Sequence, residues 1–337
     1  MSVLDVVVIG AGAAGIAAAR RLHELRIPFQ LIEARPRLGG RAWTEHTASG
    51  LPIDLGCGWL HSADENDWAR IAERTGAAID KTPPPWQREQ DQTNFPAAQQ
   101  REFRAALARF YERLEAAAEN GKDRPAAEFL EPGDRWSALT NAISTYANGV
   151  ELAELSVRDY ARYHDTEVNW RVASGYGALI ADHAQGLPFA FDCAATRIDH
   201  SGVRLRIETS RGAIEARAAI VTVPTPIIAD ETLRFTPPLP AKIEAAANLS
   251  LGLADKVFLH VERAELLPHE GRVFGATDRT ETASYHLRPF GRPLVEGYFG
   301  GAHARALEEE GEGALAQFAI DELVAVLGTE WRARLTP

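Results

Sequence analysis

Hydrophobic positions along this chain fall into runs of two periods, and near the start the two alternate. Val6-Val7-Val8-Ile9 is a short continuous apolar run ended by glycine, the pattern of a strand buried on both faces. From Ala13 to about Leu25 the chain is rich in alanine and predicts a helix, and Leu31-Ile32, ended by Glu33, predicts a second strand. Strand, turn, helix and strand in that order predict a βαβ unit on a parallel sheet, so the fold class is α/β. Farther along, Phe103, Leu107, Phe110 and Leu114 predict an amphipathic helix in a segment dense with Ala, Glu and Arg. Val203 to Ile207 and Ala213 to Ala216 predict a hairpin, and Ala219 to Val223 a buried strand ended by Pro224. From Lys256 the period becomes two: Lys256, Phe258 and His260 share one face, Val257, Leu259 and Val261 the other. A final helix is expected from about Gly313 to Leu327, followed by Trp331 and a bare terminus.

Punctuation between these runs divides the chain. Ser62-Ala63-Asp64-Glu65 reads as a capping box for a helix reaching about Thr75, with Gly76 as its stop. Lys81-Thr82-Pro83-Pro84-Pro85-Trp86 cannot be helix interior and reads as a connector leaving the first domain. Pro132 to Asp165 reads as helical and loop-rich, with Trp136, Tyr146, Tyr160 and Tyr163 as packing groups. Gly175-Tyr176-Gly177 then precedes an apolar helix, and Pro237-Pro238-Leu239-Pro240 marks a second crossing. The expected organisation is two discontinuous domains, 1–80 with 166–228 and 81–165 with 229–337.

Composition narrows the function classes. A net charge of −11 gives no support to nucleic-acid binding, and a negative field can draw in cationic amines. Cys57 and Cys193 give no disulfide framework, and nothing resembles a secretory signal, so a cytoplasmic protein is expected. The apolar stretch from Val6 to Ala19 is too short and too rich in glycine for a membrane span. No H-E-x-x-H, paired C-x-x-C or G-x-S-x-G pattern occurs, so neither a metal site nor acyl transfer is expected.

Chemistry concentrates at the first turn. In Gly10-Ala11-Gly12-Ala13-Ala14-Gly15, Gly10 allows the tight turn, Gly12 lets backbone approach a pyrophosphate, and Gly15 lets helix and strand pack closely. The helix start supplies free N–H groups at Ala13 and Ala14. The dipole adds only roughly 0.3 to 1 kcal/mol, so the positioned donors matter more. Glu33 ends the second strand where a carboxylate accepts from adenosine ribose hydroxyls and disfavours a 2′-phosphate, which argues against NADP. Arg35-Pro36-Arg37-Leu38-Gly39-Gly40-Arg41 follows, suited to a second phosphate face or, more plainly, to a solvated basic loop.

Taken together, these residues resemble the N-terminal signature of the flavin-containing amine oxidase family, of the monoamine and polyamine oxidase kind. The resemblance implies a Rossmann-like FAD-binding domain with a second, α+β substrate domain. It implies FAD contacts at Gly10, Gly12, Ala13, Ala14, Gly15, Glu33, Ala34, Arg35, Gly39, Gly40 and Arg41. Ile53 to His61 is similar to the family's second cofactor loop, implying contacts from Gly56, Cys57, Gly58 and Trp59. Ala195 stands where the family has a valine beside the adenine, and Thr222-Val223-Pro224 matches the family's strand ending. Lys256 stands where the family places a lysine that holds a water near flavin N5; spacing alone suggests a solvated strand-end lysine. His61 occupies a position that is histidine in animal polyamine oxidases and acidic in plant ones, where it would help position a substrate nitrogen; a histidine satisfying a loop is the other reading. The implied activity is FAD-dependent oxidation of an amine, with molecular oxygen as acceptor and hydrogen peroxide as product. The family continues beyond the point matching Pro337 with another cofactor-contacting segment, so an open isoalloxazine site is expected. Two alternatives stay open: an FAD-dependent desaturase of the same superfamily, and an inactive FAD-binding remnant. The amine and the oligomeric state are not given by the sequence.

Overall fold

The computed structural model describes residues 4–89, 95–119, 122–311 and 313–337. The chain divides into two compact units, Met1–Lys81 with Asn169–Leu251 and Thr82–Val168 with Gly252–Pro337. Each is discontinuous.

The first unit is built on a seven-stranded mixed sheet. Its strands run in the order Arg234–Thr236, Ala195–Asp199, Leu205–Thr209, Gly212–Val221, Leu4–Ile9, Phe29–Ile32 and Phe189–Ala190. Leu4–Ile9 is parallel to both neighbours, which is why its apolar run is continuous. Val7, Ile9, Ile32, Ile198, Ile207 and Ala216 join in the core of this unit. The helix Ala13–Glu24 connects the first two parallel strands and buries Gly15, Ile16, Ala19 and Leu22.

Three boundaries differ from the sequence expectation. Gly212–Val221 is one half-buried strand, not a hairpin arm and a separate buried strand. Ala216 pairs antiparallel with Leu205 and parallel with Leu4, so one strand serves two partners. Arg217 interrupts its apolar pattern but stays outside, 3.3 Å from Asp5. The helix after the second cofactor loop is Asp67–Thr75, and its cap is Asn66, whose side chain accepts from Trp68 N–H at 2.9 Å. Ser62 has φ of 47° and opens a turn closed by Glu65 and Asn66 N–H on its carbonyl, one turn ahead of the helix that Asn66 caps. Gly76 does end that helix, in the left-handed conformation. Residues 229–251 belong to the first unit, because the helix Pro240–Ala247 packs on Thr225–Ala229. The crossing therefore follows Leu251 and not the proline cluster.

A five-stranded antiparallel sheet organises the second unit, in the order Gly271–Phe274, Ser284–Leu287, Leu294–Gly300, Ala254–Val261 and Leu335–Thr336. The terminus is thus a short strand paired with His260 and Val261. One sheet face carries Val257, Leu259, Tyr285, Val295 and Phe299, which join Ala304, Ala319 and Leu323 of the helices Gly301–Glu310 and Ala314–Leu327. The predicted amphipathic helix is Ala97–Glu119, with Phe103, Phe110 and Leu114 buried. Trp136 packs among Phe95, Phe103 and Phe274. Tyr160 stacks on Tyr111 with ring planes 7° apart, but Tyr163 is 64% exposed and packs little, because its helix ends at Arg162.

Candidate functional site

The first-unit site grows from the turn after Leu4–Ile9. Gly10 has φ of 99°, and a Cβ on Gly15 would lie 1.8 Å from the Gly10 carbonyl oxygen, so strand and helix can meet only through glycine. Gly12 is the N-cap and offers no side-chain cap; no acidic residue stands in the first turn. Ala13, Ala14 and Gly15 therefore present N–H groups for which the helix itself has no acceptors. Glu33 closes the turn from the side: its carboxylate accepts from Ala11 N–H at 2.7 Å and from Arg35 N–H at 2.9 Å. Ala34, Arg35 and Arg41 are exposed around it. Gly39 forms a bridge to Gly12, its N–H donating to Ala11 at 2.9 Å, and the Arg37 guanidinium donates to Gly40 carbonyl oxygen at 2.8 Å. Cys193 N–H donates to Glu33 carbonyl oxygen at 2.8 Å, bringing the start of the Ala195 strand beside the acid. One locality thus holds Gly10 to Gly15, Glu33 to Arg35, Gly39 to Arg41 and the approach to Ala195.

The second loop is tied to the first through backbone. Cys57 N–H donates to Arg41 carbonyl oxygen at 3.1 Å, and a Cβ on Gly56 would sit 1.9 Å from that same oxygen. Cys57 is exposed, Gly58 half-buried and Trp59 buried. Trp59 belongs to a small sheet with Trp170–Val172 and Ile79–Asp80, where the Arg171 guanidinium lies 4.8 Å from its ring centroid and pairs with Asp80. His61 follows, exposed, with Nδ1 2.5 Å from Asn169 Oδ1. Two polar supports escaped the sequence reading. Asn169 is buried and fixes the imidazole; Asp54 accepts from Tyr176 and Gly177 N–H at 2.9 and 3.1 Å, capping the helix Tyr176–Asp182. Asp54 could have been flagged as an acid inside an apolar run. Burial pushes the Tyr176 phenol well above its ordinary value, and nearby Cys57 adds to the effect.

Lys256 lies in the second unit, on the sheet face opposite the aliphatic core. Its Nζ is 2.9 Å from Glu296 Oε1 and 5.4 Å from the Tyr298 ring centroid. It is not the solvated lysine that spacing alone suggests: its side chain is 13% exposed, that of Glu296 11%. Along the same face His286 sits opposite Glu296, with Nε2 2.6 Å from Glu270 Oε2, and Phe290 N–H donates to Glu270 Oε1 at 2.6 Å. Arg272 donates to Ser284 Oγ at 2.8 Å and to the Tyr146 hydroxyl at 3.1 Å. Burial raises the Glu296 carboxyl, but the adjacent Lys256 ammonium, with His286 opposite, outweighs it and holds it below the ordinary carboxylate range. Burial raises the Tyr146 phenol. Sequence periodicity finds the face of Lys256 but not its partners, which lie on other strands. Among the described residues no cluster of three or more His, Cys, Asp or Glu could hold a metal ion, and no helix is long and apolar enough to cross a membrane.

Comparison with known proteins covers both units. The family model for flavin-containing amine oxidoreductases matches residues 13–167 and 139–336. Polyamine oxidase 2 of Arabidopsis thaliana is 26% identical over 361 residues, covering 96% of this chain and 72% of that protein. Lysine-specific histone demethylase 2 of Homo sapiens is 27% identical over 288 residues, covering 76% of this chain but only 34% of the demethylase. Cyclohexylamine oxidase from Brevibacterium oxydans IH-35A shares the fold at a TM-score of 0.70 and 18% identity, over 98% of this chain and 82% of that one. The chain belongs to the flavin-containing amine oxidoreductase family and is an oxidoreductase whose cofactor is FAD.

Proposed function

We propose that this protein oxidises an amine, a monoamine or polyamine, to an imine that hydrolyses to an aldehyde, with molecular oxygen as the final acceptor and hydrogen peroxide as product. The observation that carries this reading is the extent of the family match, which begins at residue 13, at the helix start that closes the dinucleotide turn, and continues to residue 336, so that it takes in the Lys256 strand. A desaturase reading rests on that turn alone. Charged groups along the Lys256 face also favour an amine over a polyene.

The first unit's residues fit FAD. The uncapped Gly12 helix start suits a pyrophosphate, and an added Cβ on Gly12 would approach only the glycine backbone of the Gly39-Gly40 pair, so the cradle is left clear. Glu33 spends one lone pair on Ala11 and one on Arg35, and the remaining ones suit ribose hydroxyls. Arg35 and Arg41 are free to turn toward phosphate, while Arg37 is committed to the loop that carries Gly40. Gly56, Cys57, Gly58 and Trp59 extend this wall, and Ala195 offers backbone to the adenine. When bound, FAD supplies the two-electron acceptor that takes a hydride equivalent from the carbon beside an unprotonated amine and passes the electrons to oxygen.

The chain's own residues would bind and orient. His61, held at Nδ1 by Asn169, would direct Nε2 to a substrate nitrogen. Lys256 would hold a water by donating to its oxygen, the role its family position implies. The purified full chain is expected to be yellow, to release FAD on denaturation, to bleach anaerobically with an amine, and to form one peroxide per amine oxidised in air. Bleaching without peroxide would replace oxygen by another acceptor. Colourless protein that cannot be reconstituted with FAD would sink the proposal.

A further inference from the structure

We propose that Glu296 is the positioning residue for Lys256, holding its ammonium in one place on the polar sheet face so that it acts as a fixed hydrogen-bond donor. This rests on the reading of Lys256 as the lysine that serves the flavin. Lys256 pairs across the sheet with Tyr298, and Glu296 with Phe258, so the carboxylate reaches the lysine along the diagonal. A lysine on a four-carbon stem normally samples many rotamers. Here Nζ has a carboxylate oxygen at 2.9 Å and an aromatic ring centroid at 5.4 Å.

Stability does not explain the arrangement. Burying an ion pair costs desolvation that apolar residues of the same volume avoid, so such a pair is weak evidence for a stabilising role. Lys256, Glu296, His286 and Glu270 instead follow one another along the face, with Arg272, Tyr146, Tyr298 and the exposed His260 as the other titratable groups described there. The depressed carboxyl of Glu296 agrees with a standing cation beside it. Lysine is also scarce in this chain: Lys81, Lys122 and Lys242 are the others, and all three are exposed.

That scarcity makes the test clean. Lysine-selective 15N labelling of the flavin-loaded full chain is expected to give one slowly exchanging NH3+ signal, absent in Lys256→Met and lost in Glu296→Gln. In single-turnover kinetics, Glu296→Gln is expected to slow whichever half-reaction Lys256→Met slows, reduction or reoxidation, by at least about tenfold. The double variant should be no slower than Lys256→Met. Glu296→Asp, which keeps the charge but draws it back by one methylene, is expected to fall between and serves if the Gln variant does not fold. No protected signal in the wild type, or wild-type rates in the Glu296 variants while Lys256→Met is slow, overturns the proposal. A Lys256→Met enzyme with wild-type rates overturns the reading of Lys256 itself.

Discussion

The turn at Gly10–Gly15 and the polar face around Lys256 are both polar sites set against apolar cores, yet they are assembled by opposite means. The turn uses backbone. Its donors are amides of neighbouring residues, its shape depends on two glycines that meet face to face, and Glu33 reaches it from the next strand. The Lys256 face uses side chains from four strands, with no two of its principal groups adjacent in sequence. The backbone site is sensitive to an atom added where Gly10 and Gly15 meet, whereas the side-chain site is sensitive to the loss of one charge.

The largest effect should come from adding an atom to the turn. Gly15→Ala puts a Cβ 1.8 Å from the Gly10 carbonyl oxygen, a backbone atom that cannot give way, and 2.8 Å from Thr222 Oγ1. It is expected to lower unfolding free energy by about 3 kcal/mol, at the upper end for overpacking, and to leave the protein flavin-free. Denaturant titration and the visible spectrum would check both; a stable yellow variant would break the comparison.

Next comes removal of one charge from the face. Glu296→Leu alone leaves a buried ammonium without its carboxylate and is expected to cost about 3 kcal/mol, whereas Lys256→Met with Glu296→Leu should cost less than about 1.5. The same pair gives a pH signature. Because the folded-state carboxyl of Glu296 lies below its unfolded value, its contribution is complete above the ordinary carboxylate range and is lost as pH falls through the lower folded value. The stability of wild type relative to the double variant should therefore fall on acidification below about pH 4.5, the region where unfolded glutamate titrates. Chemical denaturation at a series of acidic pH values reads this directly, and a relative stability that rose instead would contradict the ion pair.

The smallest effect tests the side-chain element within the backbone site. Glu33→Gln keeps an acceptor for Ala11 but removes the charge, and should weaken FAD retention about tenfold with little change in stability, as expected for loss of one charge-assisted hydrogen bond. Equilibrium dialysis followed by flavin fluorescence would show it. A loss as severe as that of Gly15→Ala would mean that the carboxylate, not the glycine contact, shapes the turn.

Legibility in the sequence follows the same division. Gly10 to Glu33 could be read because every part of the turn is specified within one contiguous βαβ unit. Lys256 could be placed on a face because strand periodicity is local, but Glu296, His286 and Glu270 could not be assigned to it, since register across strands is not written in any one of them. Asn169 was invisible for the same reason, meeting His61 from a distant segment. The capping box at Ser62 was misread because its composition was right while the backbone there turns left-handed. The domain crossing was misplaced because a proline cluster marks a helix start as readily as a linker, and Pro240 begins a helix.

The strand Gly212–Val221, shared between an antiparallel hairpin and the parallel sheet, bears on how the protein is made. Leu4–Ile9 is followed closely in the chain by its partner Phe29–Ile32, but its other neighbour emerges only after the whole of Thr82–Val168 has been synthesised. Until then the strand nearest the cofactor turn has an open edge, and the intervening segment of the second unit waits in turn for Gly252 onward. Neither unit can close before the other is well advanced. The cofactor turn is thus enclosed late, and the nascent chain must carry an apolar strand with one unpaired edge while Thr82–Val168 is being made.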